Sequence, residues 1–282
     1  MFREESNSYQ DLVARIDALE PLECLSLLAH PWWAEERYMS FMICSYADES
    51  GDKQVYSVCG LLGKLSNFID LGRSWRAALQ AEGLTEFHAA KLENHWEPYD
   101  DTSVFTRDRI DYLQRKFIGL ITSRRIWGFN AFIENAVLKA HEAELLPFMP
   151  HLAPYTFAFR MFVEIVALEI DDYKKKDEPI AFVFDQQKQY QGKAKEMYDE
   201  LASEGEWPLA HRLGSLGFES RLTHVELQAA DCWAYESRKR VSDVVYHNGT
   251  ERWQMTLFRD AGRFNIKGYP EKQLQDLIAR LA

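Results

Sequence analysis

One short segment restricts the fold more than any other. Residues 180–184 read Ile-Ala-Phe-Val-Phe, between Pro179 and Asp185, without a polar side chain among them. A strand with one wet face alternates apolar and polar residues, whereas an unbroken apolar run has to be covered on both faces. The chain is therefore expected to build a sheet with helices above and below it, an α/β arrangement.

The flanking segments agree. Residues 39–47 are rich in strand formers, with Met42, Cys44 and Tyr46 facing one way and Phe41, Ile43 and Ser45 the other. Asp48-Glu49-Ser50-Gly51-Asp52 carries turn chemistry, and residues 55–62 form a second strand, so the pair predicts a hairpin. Residues 126–133 predict a third strand. Apolar spacing predicts helices over residues 9–28, 65–81, 109–122, 154–174, 189–203 and 223–240, the fifth following the apolar strand. Residues 87–90 read as a strand end or loop, residues 94–106 as loop, and residues 241–282 as a tail with a turn at Asp260-Ala261-Gly262 and a last helix after Pro270. The result is a mixed sheet with helices on both faces, divided into an N-terminal helical extension (1–37), a core domain (38–240) and a C-terminal extension packed on it (241–282). Strand order does not follow from the pattern.

Composition excludes several classes. The 282 residues are 46% apolar and 13% aromatic, which is enough to fold and too much for disorder. No apolar run approaches the ~18 residues of a membrane span. Net charge is −11, which speaks against a surface built for tight, sequence-blind binding of duplex nucleic acid. The four cysteines form no C-x-x-C pair, and Cys44, Cys59 and Cys232 sit inside apolar runs as core residues do. The first residues, Met-Phe-Arg-Glu-Glu-Ser, lack the apolar stretch of a secretory signal. A cytoplasmic protein is expected.

Three carboxylates stand where a carboxylate is unexpected. Asp48 and Asp185 each close a predicted strand; if those strands run parallel, both emerge at the sheet edge where open α/β sheets carry their sites. The competing reading is that each Asp merely opens a turn. Asp231 lies among Ala229, Ala230, Cys232 and Ala234, in a helix that Thr223 and Glu226 would start with capping-box spacing. Asp is a poor mid-helix residue, and a small-residue helix pressed on a sheet would carry this one charge inward. Such a charge is costly unless it is paired or binds a metal. The alternative is an Asp on the solvent side. Converging carboxylates repel each other and a divalent cation reverses that balance. All-oxygen ligands favour Mg²⁺ or Mn²⁺, and the matching chemistry is phosphodiester hydrolysis by a metal-activated water.

Residues Tyr46-Ala47-Asp48-Glu49-Ser50-Gly51-Asp52, Phe182-Val183-Phe184-Asp185 and Glu226-Leu227-Gln228-Ala229-Ala230-Asp231 together resemble the domain-of-unknown-function 3800 family, uncharacterised and widespread in bacteria. That family is similar to the ribonuclease-H-like superfamily. The resemblance covers residues 38–240 in three short patches. It implies a central mixed sheet, an Asp on the first strand, an Asp after the fourth and an Asp on a late helix, together holding divalent metal. A fourth carboxylate usually comes from a helix between the middle strands. Glu164 is the candidate, although Arg160 four residues earlier could simply pair with it. Glu49 is secondary, because neighbours in a strand point to opposite faces. His88 could transfer protons near the metal or be an ordinary hydrogen-bonded histidine.

Other signals are bland. His141-Glu142 does not extend to H-E-x-x-H, and Lys174-Lys175-Lys176 and Arg238-Lys239-Arg240 each suit a helix C-terminus. Two functions remain: a metal-dependent nuclease or related hydrolase, with DNA or RNA loosely bound, and a binding or assembly module that keeps the fold without the chemistry.

Overall fold

The structure, a computed structural model, describes residues 43–169, 178–203, 207–269 and 271–281. The expected helix at residues 9–28, the extension 1–37, Cys24 and the Lys174–Lys176 run lie outside those residues.

A six-stranded mixed sheet forms the centre, in the order β5-β4-β1-β2-β3-β6. The strands are β1 (Ile43–Gly51), β2 (Val55–Lys64), β3 (Ile126–Glu134), β4 (Ile180–Asp185), β5 (Leu213–Glu219) and β6 (Phe264–Tyr269). β1, β2 and β3 form an antiparallel meander, as the hairpin reading requires. β4 runs parallel to β1, β5 parallel to β4, and β6 parallel to β3.

Ten described α-helices flank the sheet: α1 (Leu65–Glu82), α2 (Ala89–Glu93), α3 (Arg107–Thr122), α4 (Asn135–Ala140), α5 (Glu142–Leu145), α6 (Pro154–Glu169), α7 (Gln191–Ser203), α8 (Val225–Arg240), α9 (Trp253–Asp260) and α10 (Glu271–Leu281). One face packs Cys44, Tyr46, Cys59 and Leu61 against α1, α3, α8 and α9. The other packs Ile43, Ala47, Val58, Leu62, Phe182 and Phe184 against α6, α7 and α10. Two-residue alternation therefore assigns each strand residue to a layer. The fully apolar strand is covered on both sides: Phe182 and Phe184 point into the second layer, Ala181 and Val183 pack on the first.

Several boundaries differ from expectation. β1 does not stop at Asp48; its ladder with β2 continues through Asp48↔Cys59, Glu49↔Val58 and Ser50↔Ser57 to Gly51↔Tyr56. The turn is opened instead by Asp52, whose Oδ1 accepts the backbone N–H groups of Gln54 (2.8 Å) and Val55 (2.9 Å). Its other oxygen accepts from Ser242 Oγ at 2.6 Å and Arg238 Nη1 at 2.8 Å, so the hairpin tip is tied to the end of α8. Asp48 is thus a residue inside a strand, not the start of a turn. Residues 87–90 are no strand: Ala89 begins a short helix.

Two strands carry no clear signal. β5 contains Gly214 and Gly217, and a Cβ at Gly214 would lie 2.7 Å from the carbonyl oxygen of Ile180. Close approach to β4 requires a glycine there and blurs the apolar alternation. β6 arises within the expected tail, so residues 264–269 complete the sheet rather than merely pack on it. Among the described residues no helix is long and apolar enough to cross a membrane.

Candidate functional site

The register alone sets two aspartates side by side. β1 and β4 are parallel with Tyr46↔Val183 and Ala47↔Phe184, so the next residues along, Asp48 and Asp185, are neighbours. Tyr46 and Val183 belong to the layer beneath α8, and alternation returns Asp48 and Asp185 to that face. α8 crosses there against β1 and β2. Residues 225–237 are all buried, and Ala229, Ala230 and Ala234 let the helix lie close to the sheet. Asp231 is therefore carried inward. Exposure is 2% for Asp48, 9% for Asp185 and 5% for Asp231.

A cation stands among the three, and it is Arg221, in the loop between β5 and α8. Its Nε donates to Asp185 Oδ2 at 2.9 Å, its Nη2 contacts the same oxygen, and its own backbone N–H donates to Asp185 Oδ1 at 3.2 Å. Nη2 also lies 3.3 Å from Asp48 Oδ2, and Nη1 3.5 Å from Asp231 Oδ1. The last two are charge contacts without hydrogen-bond geometry: Asp48 Oδ2 and Arg221 Nη1 are buried atoms with no hydrogen-bond partner.

Gln228, one helical turn before Asp231, holds both walls of this cluster. Its Oε1 accepts from Trp75 Nε1 (3.0 Å) and from the backbone N–H of Phe87 (2.9 Å), and its Nε2 donates to the carbonyl of Arg221 (2.9 Å). Phe87 in turn packs on Phe117, with ring centroids 4.5 Å apart. This fixes the segment carrying His88 and Ala89. The Ala89 N–H donates to Asp231 Oδ2 at 2.8 Å, and His88 Nδ1 lies 3.2 Å from the same oxygen. Tyr99 completes the support by donating to the carbonyl of Glu86 at 2.6 Å.

The electrostatics are unequal. Burial raises the Asp48 carboxyl well above the usual carboxylate range, the Glu49 charge adds to this, and Arg221 opposes it. Glu49 is pushed up to about 7, chiefly by burial. Burial also acts upward on Asp231, but His88, Arg221 and the Ala89 N–H together hold it below the usual value. The guanidinium of Arg221 loses solvation, yet its carboxylate neighbours raise its pKa further.

Of the six residues singled out by sequence, Asp48, Asp185, Asp231 and His88 meet. Glu49 lies beside them: Gln187 Nε2 donates to it, and its carboxyl interacts with that of Asp48 and with the charges of Asp185 and Arg221. Glu164 sits on α6, in the layer on the other side of the sheet, and Arg160 Nε donates to it at 2.9 Å. The capping box is not formed. α8 begins at Val225 with His224 as its N-cap and no side-chain cap. Thr223 Oγ1 donates instead to the carbonyl of Ser220 at 3.0 Å. Glu226 is buried against α1, so close that a Cβ at Gly72 would lie 2.0 Å from its Oε1.

The donor chemistry suits a hard divalent cation: oxygen ligands, surplus negative charge, and Asp48 Oδ2 without a hydrogen bond. The cage is not open as it stands. Among the described residues no three His, Cys, Asp or Glu groups are spaced to hold a metal ion. Arg221 would have to yield at least one contact. Sequence reasoning missed Arg221 because the strand before it carries two glycines, which left its loop without an address at the sheet edge. No family model matches this chain, and no curated protein matches it.

Proposed function

We propose that the chain is a divalent-metal-dependent phosphodiester hydrolase of ribonuclease-H-like type, acting on DNA or RNA, with Asp48, Asp185 and Asp231 as the ligands of Mg²⁺ or Mn²⁺. The observation that carries this reading is the convergence of three aspartates, more than 180 residues apart at the extremes of the sequence, onto one cationic group. They arise from the first strand, the end of the fourth and a late helix, the positions that the family resemblance implies. When bound, the metal would supply an activated water and neutralise charge developing on the phosphate. The protein's own part is separable from that. Asp231 faces His88 Nδ1, which leaves Nε2 free of that contact, and the side chain is 20% exposed. His88 is thus placed to move a proton between the site and solvent. Net charge of −11 favours a loosely held substrate.

Purified protein is incubated with single- and double-stranded DNA and RNA, with Mn²⁺ and with chelator. Chelator-sensitive cleavage that disappears in Asp185→Asn supports the hydrolase. One observation favours a second reading, a binding module that has kept the fold: Arg221 already gives the three carboxylates a partner. Folded protein that leaves every one of these substrates intact supports the module.

A further inference from the structure

Arg221 is the group in the cluster that neither the sequence motifs nor the proposed ligand set accounts for. Three facts define what it can do. Its side chain touches all three aspartates at once. Its backbone is pinned at both ends, the N–H to Asp185 Oδ1 at 3.2 Å and the carbonyl to Gln228 Nε2 at 2.9 Å. Its side chain is 21% exposed, whereas those of Asp48 and Asp231 are 2% and 8% exposed. The guanidinium can therefore turn outward about its own side-chain torsions while the backbone and the carboxylates stay in place. Leu222, the next residue, is 66% exposed, so the loop faces water.

The charges supply the reason for movement. One guanidinium faces Asp48, Asp185 and Asp231, with Glu49 next along the strand, and Asp48 Oδ2 still accepts no hydrogen bond. Without any cation the three aspartates would repel one another and splay, or take up protons. With Arg221 they stay converged but under-neutralised. A divalent ion brings twice the charge at a shorter distance than a guanidinium nitrogen can reach, about 2.0–2.6 Å to oxygen.

We propose that Arg221 is a positioning residue, a tethered counter-ion that keeps the three aspartates converged in the cation-free protein and is displaced from them by a divalent cation. This rests on the reading of Asp48, Asp185 and Asp231 as metal ligands. It predicts a competition: removing the tethered charge weakens the cation-free fold and strengthens cation binding.

The test compares full-length wild type, Arg221→Gln and Arg221→Lys by Mn²⁺ calorimetry and by thermal unfolding with and without Mn²⁺. Without metal, Arg221→Gln should melt roughly 5–15 °C lower, the scale of a buried charge left unpaired. Mn²⁺ should restore most of that loss, and the variant should bind Mn²⁺ about tenfold or more tightly than wild type. Arg221→Lys, which keeps a charge without the fork, should fall between. Equal Mn²⁺ affinity in wild type and Arg221→Gln overturns the counter-ion role and leaves the metal site standing. No Mn²⁺ binding to either overturns the metal site and this proposal with it. If Arg221→Gln does not fold, wild-type side-chain NMR decides. On Mg²⁺ addition the Arg221 Nε–H signal should lose its hydrogen-bonded position, and a signal that stays unchanged while Mg²⁺ binds overturns the proposal.

Discussion

Helix α8 carries two buried ionic clusters, one near each end, and they are built on opposite terms. At its N-terminal half, Asp231 joins Asp48 and Asp185 around the single guanidinium of Arg221. Toward its C-terminal end, Glu236 joins Glu93, and two guanidiniums serve the pair. Arg252 Nε donates to Glu236 at 3.0 Å and its Nη1 to Glu93 at 3.1 Å, while Arg107 Nη1 donates to Glu93 at 2.9 Å. Gln114 Nε2 donates to the remaining Glu93 oxygen at 2.8 Å and is held in turn by Gln254 at 2.6 Å. In the second cluster both oxygens of Glu93 and of Glu236 accept hydrogen bonds, although Arg107 also pairs with Asp111; the cluster joins α2, α3 and α8 to residue 252 at the start of α9. The first is short of positive charge, and orphaned buried atoms mark the shortage. Burying carboxylates is common to both. Of the two, the cluster at the sheet edge is the one that leaves a carboxylate oxygen, Asp48 Oδ2, without a hydrogen bond, and that contrast separates a structural tie from a site prepared for a ligand.

The largest effect should come from breaking the second cluster. Arg252→Ala leaves Glu236 buried without its guanidinium partner and Glu93 with Arg107 alone, and is expected to cost about 3–5 kcal/mol in urea unfolding. Millimolar Mn²⁺ should recover none of it. Recovery equal to that of Arg221→Gln would erase the distinction between the two clusters.

Gln228→Ala comes next. It strands the buried N–H groups of Trp75 and Phe87 and frees the Arg221 carbonyl. A loss of roughly 2–4 kcal/mol is expected. Near-neutral behaviour would mean that the two walls of the site are held by other contacts.

A pH effect of middle size sharpens the comparison. Glu49 and Glu236 are both raised from 4.5 to about 7, mainly by burial. A carboxyl with a raised folded pKa favours folding below its unfolded value, and that advantage is lost as pH rises toward the folded value. Stability should therefore decline between about pH 4.5 and 7. Mg²⁺ should flatten the share of Asp48 and Glu49 and leave the Glu236 share, so Glu49→Gln reduces the Mg²⁺-sensitive slope. A slope indifferent to Mg²⁺ in wild type contradicts this. Asp231 has the opposite sign: its lowered folded pKa adds stability that is lost as pH falls through the acidic carboxylate range.

The smallest effect concerns the abandoned cap. Thr223→Ala should change stability by less than about 0.5 kcal/mol, because Thr223 does not cap α8. A loss near 1 kcal/mol would restore the capping reading.

Most of the layer architecture was legible in apolar periodicity, since the core strands and long helices are set by burial. The five-residue apolar run predicted two covered faces, and both exist. What failed was local and polar. The D-E-S-G segment reads as a turn by propensity, but pairing with β2 keeps it in the strand as far as Gly51. β5 was hidden by the glycines that let it approach β4. Asp231 was legible because an isolated charge among small residues has few explanations. Arg221 was not, because its significance lies wholly in tertiary placement: nothing about a loop arginine announces that three carboxylates from other segments will surround it. The spacing of Thr223 and Glu226 misled for the same reason, since burial of Glu226 against α1 outweighs a local cap.

Mn²⁺ soaked into crystals of the wild-type protein, located by its anomalous scattering, is the most direct trial. The expected result is a manganese peak bounded by the carboxyl groups of Asp48, Asp185 and Asp231, with the Arg221 guanidinium turned toward solvent. An Arg221 still seated on the three aspartates, with manganese absent there at concentrations that fill other acidic sites in the same crystal, would contradict it.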